Sequence, residues 1–261
     1  MSEPIRYARQ DAVGILTLDR PDQRNSMTPE LLDAFAAVAA RARADAEARA
    51  LIVTGTGSVF SAGADLRSTL QRTDGERAAP NERSFGMYEP FLSLLDVDVP
   101  VIGALNGHAI GGGFGLALVC DLRIGALEGK YGANFVRLGI APGMAISYLL
   151  PRLIGPARAS ELLLTGRLVD GLEAERLGIL NRAVPAADVM AEAMALAQEI
   201  AAAAPRAVRA TKRALRRGLD LAARDAARFE AYAQAETLAT EDAREGISAL
   251  LEKRTPRFTG R

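Results

Sequence analysis

The stretch "NGHAIGGGFGLALVCDL", Asn106 to Leu122, decides how the fold is read. Three glycines stand together at Gly111, Gly112 and Gly113, and a fourth follows at Gly115. The chain then turns apolar through Leu116, Ala117, Leu118, Val119 and Cys120. Glycine is a poor helix former, yet this cluster opens a segment that reads as a buried helix. The preceding "VPVIGALNG", Val99 to Gly107, reads as a buried strand. A strand, a glycine turn and a helix start present unpaired N–H groups at the positive end of a helix dipole. Such a place suits an anion, or a carbonyl that becomes one. Leu51 to Leu66, "LIVTGTGSVFSAGADL", repeats the design. The plainer alternative is that these glycines serve tight turns or close helix packing.

Two phosphate-binding signatures are absent. A GxGxxG pattern starting at Gly111 needs glycine where Leu116 stands, and one starting at Gly113 needs it at Leu118. GxxxxGK[ST] does not occur.

Outward from the cluster, strands and helices alternate as in an α/β protein. Ile5 to Pro21 reads as two short strands around a polar turn. Thr28 to Asp45 reads as a helix with Thr28 as N-cap, Pro29 in the first position and Glu30 at the positive end of the dipole. Ala50 to Gly55 is a buried strand, and "SAGADL" starts a second helix. The polar run from about Ser68 to Arg83 reads as a mobile surface loop. Asp121 to Ala133 reads as two short strands around a turn. From Pro142 the pattern is helical, broken by the strand-like "ILNRAVP" at Ile179 to Pro185.

The 261 residues carry 32 Lys plus Arg against 32 Asp plus Glu, so bulk charge does not point to nucleic acid or an anionic membrane. One cysteine, Cys120, excludes an intrachain disulfide framework and a cysteine-built metal site, and one histidine, His108, excludes a multi-histidine site. No metal is therefore expected. The opening residues lack an apolar signal core, and charges interrupt every run long enough to span a membrane, so the expectation is a cytoplasmic protein.

"FSAGADL" (Phe60 to Leu66), followed by "PVIGALNGHAIGGGFGLALVCDL" (Pro100 to Leu122), resembles the crotonase superfamily, the enoyl-CoA hydratase/isomerase group. The resemblance continues through Arg137 to Pro185 and the tail Thr240 to Arg261. It implies an α/β spiral of β-β-α turns over residues 1–200 and a C-terminal helical oligomerisation region over 201–261. It also implies a homotrimer or hexamer that acts on an acyl-CoA thioester in fatty acid metabolism. Coenzyme A enters as part of the substrate, with no other cofactor. The backbone N–H groups of Ala64 and Gly112 map to the oxyanion hole, and ligand approach accounts for the missing side chain at Gly112. Arg24, Ser61, Ala62, Gly63 and Ala64 map to the coenzyme A site, with Lys253 and Phe258 reaching the ligand of a neighbouring subunit.

The resemblance breaks at the acid–base pair. Hydratases of the family use two glutamates, one as base and one as acid. Their positions here are Gly115 and Phe135, so standard hydration is in doubt. Tyr88, His108, Tyr131 and Asn134 are candidates for the acyl pocket. Hydratase-like lyase or isomerase chemistry is the leading expectation, and a non-catalytic acyl-CoA-binding protein is the alternative.

Overall fold

The computed structural model describes residues 3–65 and 79–261. The mid-chain loop expected over 68–83 falls outside these residues up to 78. The helix expected to start in "SAGADL" does not begin within residues 61–65: Ser61 ends a strand and Ala64 is drawn into a parallel bridge with Met27, and residues 66–78 lie outside the described ones. Residues 80–83 are not loop. They open a helix, because Pro80 takes the first position and the Glu82 carboxylate accepts the Ala79 N–H at 3.2 Å.

Among the described residues the strands are β1 (Ile5–Gln10), β2 (Val13–Leu18), β3 (Ala50–Gly55), β4 (Val59–Ser61), β5 (Val101–Leu105), β6 (His108–Ile110), β7 (Leu122–Ala126), β8 (Lys130–Gly132), β9 (Val169–Asp170) and β10 (Arg182–Val184). The helices are α1 (Pro29–Ala44), α2 (Pro80–Leu92), α3 (Gly112–Val119), α4 (Ile146–Ile154), α5 (Pro156–Thr165), α6 (Gly171–Leu177), α7 (Val189–Ala201), α8 (Pro205–Gly218), α9 (Ala223–Leu238) and α10 (Glu241–Glu252).

The strands form two sheets, ordered β1-β2-β3-β5-β7-β10 and β4-β6-β8-β9. Successive pairs β3/β4, β5/β6 and β7/β8 each give one strand to each sheet, so the chain climbs as a spiral of β-β-α turns. Strands β2, β3, β5, β7 and β10 pair in parallel, as do β4, β6 and β8; β1 and β9 join antiparallel.

Period-two alternation splits the apolar residues between two cores. In β3, Leu51 and Val53 join Phe35, Phe60, Phe91 and Phe114 in the larger core, where Phe35 and Phe91 meet edge-on with centroids 4.7 Å apart. Ala50 and Ile52 face the second core, formed with Ile102, Ala104 and Ile124 against Ala193, Ala197 and Ala201 of α7. The four-residue spacing of those alanines lets α7 lie close on the sheet. Burial on both faces explains why "ALIVTG" and "VIGAL" read as unbroken apolar runs.

Helix α1 starts as its sequence indicates: the Thr28 hydroxyl accepts from the Leu31 amide at 3.2 Å. Buried Lys212 anchors α8 to the spiral by donating to the Val99 carbonyl at 2.6 Å and to Asp121 at 2.8 Å. Asp121 also takes Arg216 at 2.8 Å and the Val101 amide at 2.8 Å. No described helix is long and apolar enough to cross a membrane.

Candidate active site

The site grows from the contact between two chain segments and one helix start. Asn25, fully buried and left-handed at φ 50°, holds the first segment. Asparagine tolerates that conformation better than most residues. Its Nδ2 donates to the Thr56 and Val59 carbonyls at 3.1 and 2.9 Å, and its Oδ1 accepts from the Arg20 amide at 2.9 Å. Residues 24–27 consequently run beside 61–64. The Ala62 amide donates to the Arg24 carbonyl at 3.0 Å, the Met27 amide donates to the Gly63 carbonyl at 2.8 Å, and Met27 bridges Ala64 in parallel. The buried Ser61 hydroxyl donates to the Asn25 carbonyl at 2.8 Å and accepts from the Gly63 amide at 3.3 Å. The Arg24 side chain is exposed.

The second segment arrives at Gly63. This residue has φ +79°, and a Cβ placed on it falls 2.6 Å from the Ile110 carbonyl oxygen and 2.7 Å from the Gly112 amide nitrogen. Glycine is required twice over, by backbone conformation and by space. Gly111 turns the chain into α3 with φ 57° and ψ −120°, donating its N–H to the Gly132 carbonyl at 3.0 Å. Ala64, next to Gly63, and Gly112, the first residue of α3, thus come together. Neither amide has an acceptor among the described residues. All eight residues of α3 are buried, so its dipole ends in a low-dielectric setting where it counts for more.

Methionine side chains stand beside two of the glycines. The space beside Gly112 is occupied by the Met27 thioether, which a Cβ there would strike. A side chain at Gly112 would therefore need the flexible end of Met27 to swing aside. The space beside Gly115 is taken by the Met144 Cβ. Met144 is 1% exposed and, with Ala145, left-handed at φ 57° and 54°. Neither Met27 nor Met144 was a sequence candidate, because nothing in "NSMTP" or "APGMA" signals that a methionine faces a glycine far away in the chain.

The other candidates are dispersed. Phe135 is half-buried, its ring tip 3.7 Å from where a Gly111 Cβ would sit, and therefore at the α3 start. Asn134, half-buried, precedes it. Tyr88 projects from α2 with its hydroxyl against Gly143. Tyr131 is fully buried and its hydroxyl donates to the Ala126 carbonyl at 2.7 Å; burial pushes that phenol's pKa up. His108, at the β6 end away from α3, accepts from the Lys130 amide through Nδ1 at 3.0 Å. Lys253 ends α10 in a left-handed conformation and is exposed. Phe258 packs against Gly246, and its carbonyl accepts from Arg49 at 3.1 Å. Among the described residues no group of three or more His, Cys, Asp or Glu side chains is placed to hold a metal ion. The Cys120 thiol is pushed up to about 12 by burial and is no nucleophile at neutral pH.

This geometry can be set beside known proteins. The family model for enoyl-CoA hydratase/isomerase matches residues 8–261. The chain belongs to the enoyl-CoA hydratase/isomerase family. "Probable enoyl-CoA hydratase echA8" of Mycobacterium tuberculosis is 36% identical over 259 residues, covering 99% of both chains. The crotonyl-CoA hydratase of Syntrophomonas wolfei is 34% identical over 259 residues, covering 98% of both. The crystal structure of an enoyl-CoA hydratase from Bacillus anthracis superposes with a TM-score of 0.93 at 33% identity, over 99% of this chain and 100% of that one. The two-sheet spiral is accordingly the crotonase fold, and this enoyl-CoA hydratase/isomerase family member is a hydratase-like enzyme.

Proposed function

We propose that the protein processes an acyl-CoA thioester and holds the thioester oxygen between the amides of Ala64 and Gly112. The observation that carries this reading is the meeting, at Gly63 and the α3 start, of two backbone N–H groups that have no acceptor among the described residues. Negative charge gathers on that oxygen when the thioester becomes an enolate or a tetrahedral oxyanion. Donors already aimed at it stabilise the charge without reorganising, typically by about 3–4 kcal/mol for each donor. The backbone of Ser61, Ala62, Gly63 and Ala64 holds the adenine, and exposed Arg24 meets the phosphates. Leu215 on α8, Leu219 just past its end and Tyr232 on α9 are 69%, 64% and 77% exposed. That apolar face supports a homotrimer or hexamer, with Lys253 and Phe258 reaching a neighbour's coenzyme A.

The reaction differs from two-carboxylate hydration. By the family pattern the proton-handling positions are Gly115 and Phe135, and neither side chain exchanges a proton. The same observation favours a second reading, an acyl-CoA binder without turnover. Calorimetry with butyryl-CoA, free coenzyme A and butyrate tests the shared core of both readings. The thioester binds more tightly than either part, and equal or absent binding across the three contradicts the assignment. Mass analysis of a thioester panel after incubation then separates enzyme from binder.

A further inference from the structure

Ser61 ends β4 at a point where the segments that build the candidate site meet. It is fully buried, and its hydroxyl is used in both senses. It donates to the Asn25 carbonyl at 2.8 Å, which ties down residues 24–27. It accepts from the Gly63 amide at 3.3 Å, which ties down the turn before Ala64. The same residue bears on α3. A Cβ on Gly113 would strike the carbonyl oxygen and the Cβ of Ser61, so the second residue of α3 is pressed against it. Through its backbone Ser61 also pairs with Ala109 of β6, the strand that leads into α3.

Ala64 and Gly112 are each one residue from a group that Ser61 touches. Ala64 follows Gly63, and Gly112 precedes Gly113. Gly63 in turn lies so near Gly112 that a Cβ on it falls 2.7 Å from the Gly112 nitrogen. Two donors share one oxygen only if their separation is right, because a hydrogen bond weakens steeply outside a narrow range of distance and angle. A hydroxyl donates and accepts at once, and hydrogen bonds made out of contact with water hold their partners firmly. Alanine keeps the packing on Gly113 but takes that partner from the Asn25 carbonyl and the Gly63 amide.

We propose that Ser61 is a positioning residue whose hydroxyl sets the separation of the Ala64 and Gly112 amides, and with it their hold on the thioester oxygen. This rests on the acyl-CoA reading of the site. The role belongs to the side chain and is separate from the adenine contact proposed for the Ser61 backbone.

The test is calorimetry of butyryl-CoA and of S-butyl-coenzyme A, the thioether without the carbonyl oxygen, on wild type, Ser61→Ala and Ser61→Cys. Both ligands carry the same coenzyme A, so any change at the adenine or the phosphates cancels in the ratio of their affinities. Wild type prefers the thioester about tenfold or more. Ser61→Ala lowers that preference to about threefold or less. Ser61→Cys, whose thiol is a weaker donor and acceptor, falls between the two and carries the test where the alanine variant does not fold. A role confined to folding lowers the melting temperature of the variants and leaves the preference at its wild-type value. That result overturns the proposal while the acyl-CoA reading stands. A wild type that shows no preference overturns the oxygen-binding reading on which the proposal rests.

Discussion

Met144 stands where a side chain at position 115 would extend, and this decides what one substitution can do. Gly115→Glu meets the Met144 Cβ, an atom fixed to the backbone and unable to swing aside. Overpacking of that kind costs about 1–3 kcal/mol, and a carboxylate without a partner adds to it. Gly115→Glu therefore melts well below wild type, and adding Met144→Gly recovers part of the loss. Glycine opens the space and suits the left-handed backbone at φ 57°. Thermal unfolding of the three proteins checks this; a single variant that melts like wild type contradicts the packing. The glycines were legible as places that admit no side chain. What excludes the side chain was not, because contacts such as the Met144 Cβ on Gly115 join residues far apart in the chain.

At the scale of elements, the anchor of α8 and the tail around α10 make separate predictions. Asp121 neutralises buried Lys212, which burial pulls below the usual lysine pKa. Asp121→Ala leaves that ammonium buried without its partner and destabilises the fold by about 3 kcal/mol. Denaturant unfolding measures it, and a loss under about 1 kcal/mol would mean the pair is as weak as a surface one. In the tail, Glu245 accepts both guanidinium arms of Arg254 at 2.6 and 2.9 Å and the Arg257 amide at 2.8 Å. Arg254 first, then that amide, lowers its carboxyl to about 2. A depressed carboxylate contributes in full above its unfolded value of about 4.3 and loses its contribution as pH falls through the folded one. The Arg257 amide resonance accordingly titrates with a midpoint near 2, and a midpoint in the ordinary glutamate range contradicts the clasp. Helix α1 was legible because its N-cap, proline and apolar period agree. Helix α2 begins in a polar, arginine- and glutamate-rich run, so its first turn read as loop. The short β4, β6 and β9 are set by sheet pairing and carry too few residues to show a period of their own.

Over the whole molecule, the spiral brings Arg24 to Met27, Ser61 to Ala64 and the α3 start into one place. Only the fold makes neighbours of segments nearly ninety residues apart. The sequence supported the outline of that meeting point through two strand–glycine–helix patterns and the family resemblance. It did not show that Tyr131 is committed to the Ala126 carbonyl or His108 to the Lys130 amide. The central claim is that the Ala64 and Gly112 amides hold a thioester oxygen. Calorimetry of butyryl-CoA against S-butyl-coenzyme A, the thioether that differs only in lacking the carbonyl oxygen, tests it most directly. Two hydrogen bonds at about 1 kcal/mol net each predict that the thioester binds at least tenfold more tightly. Equal affinity for thioester and thioether would contradict the account, because the oxygen would then have no partner in the site.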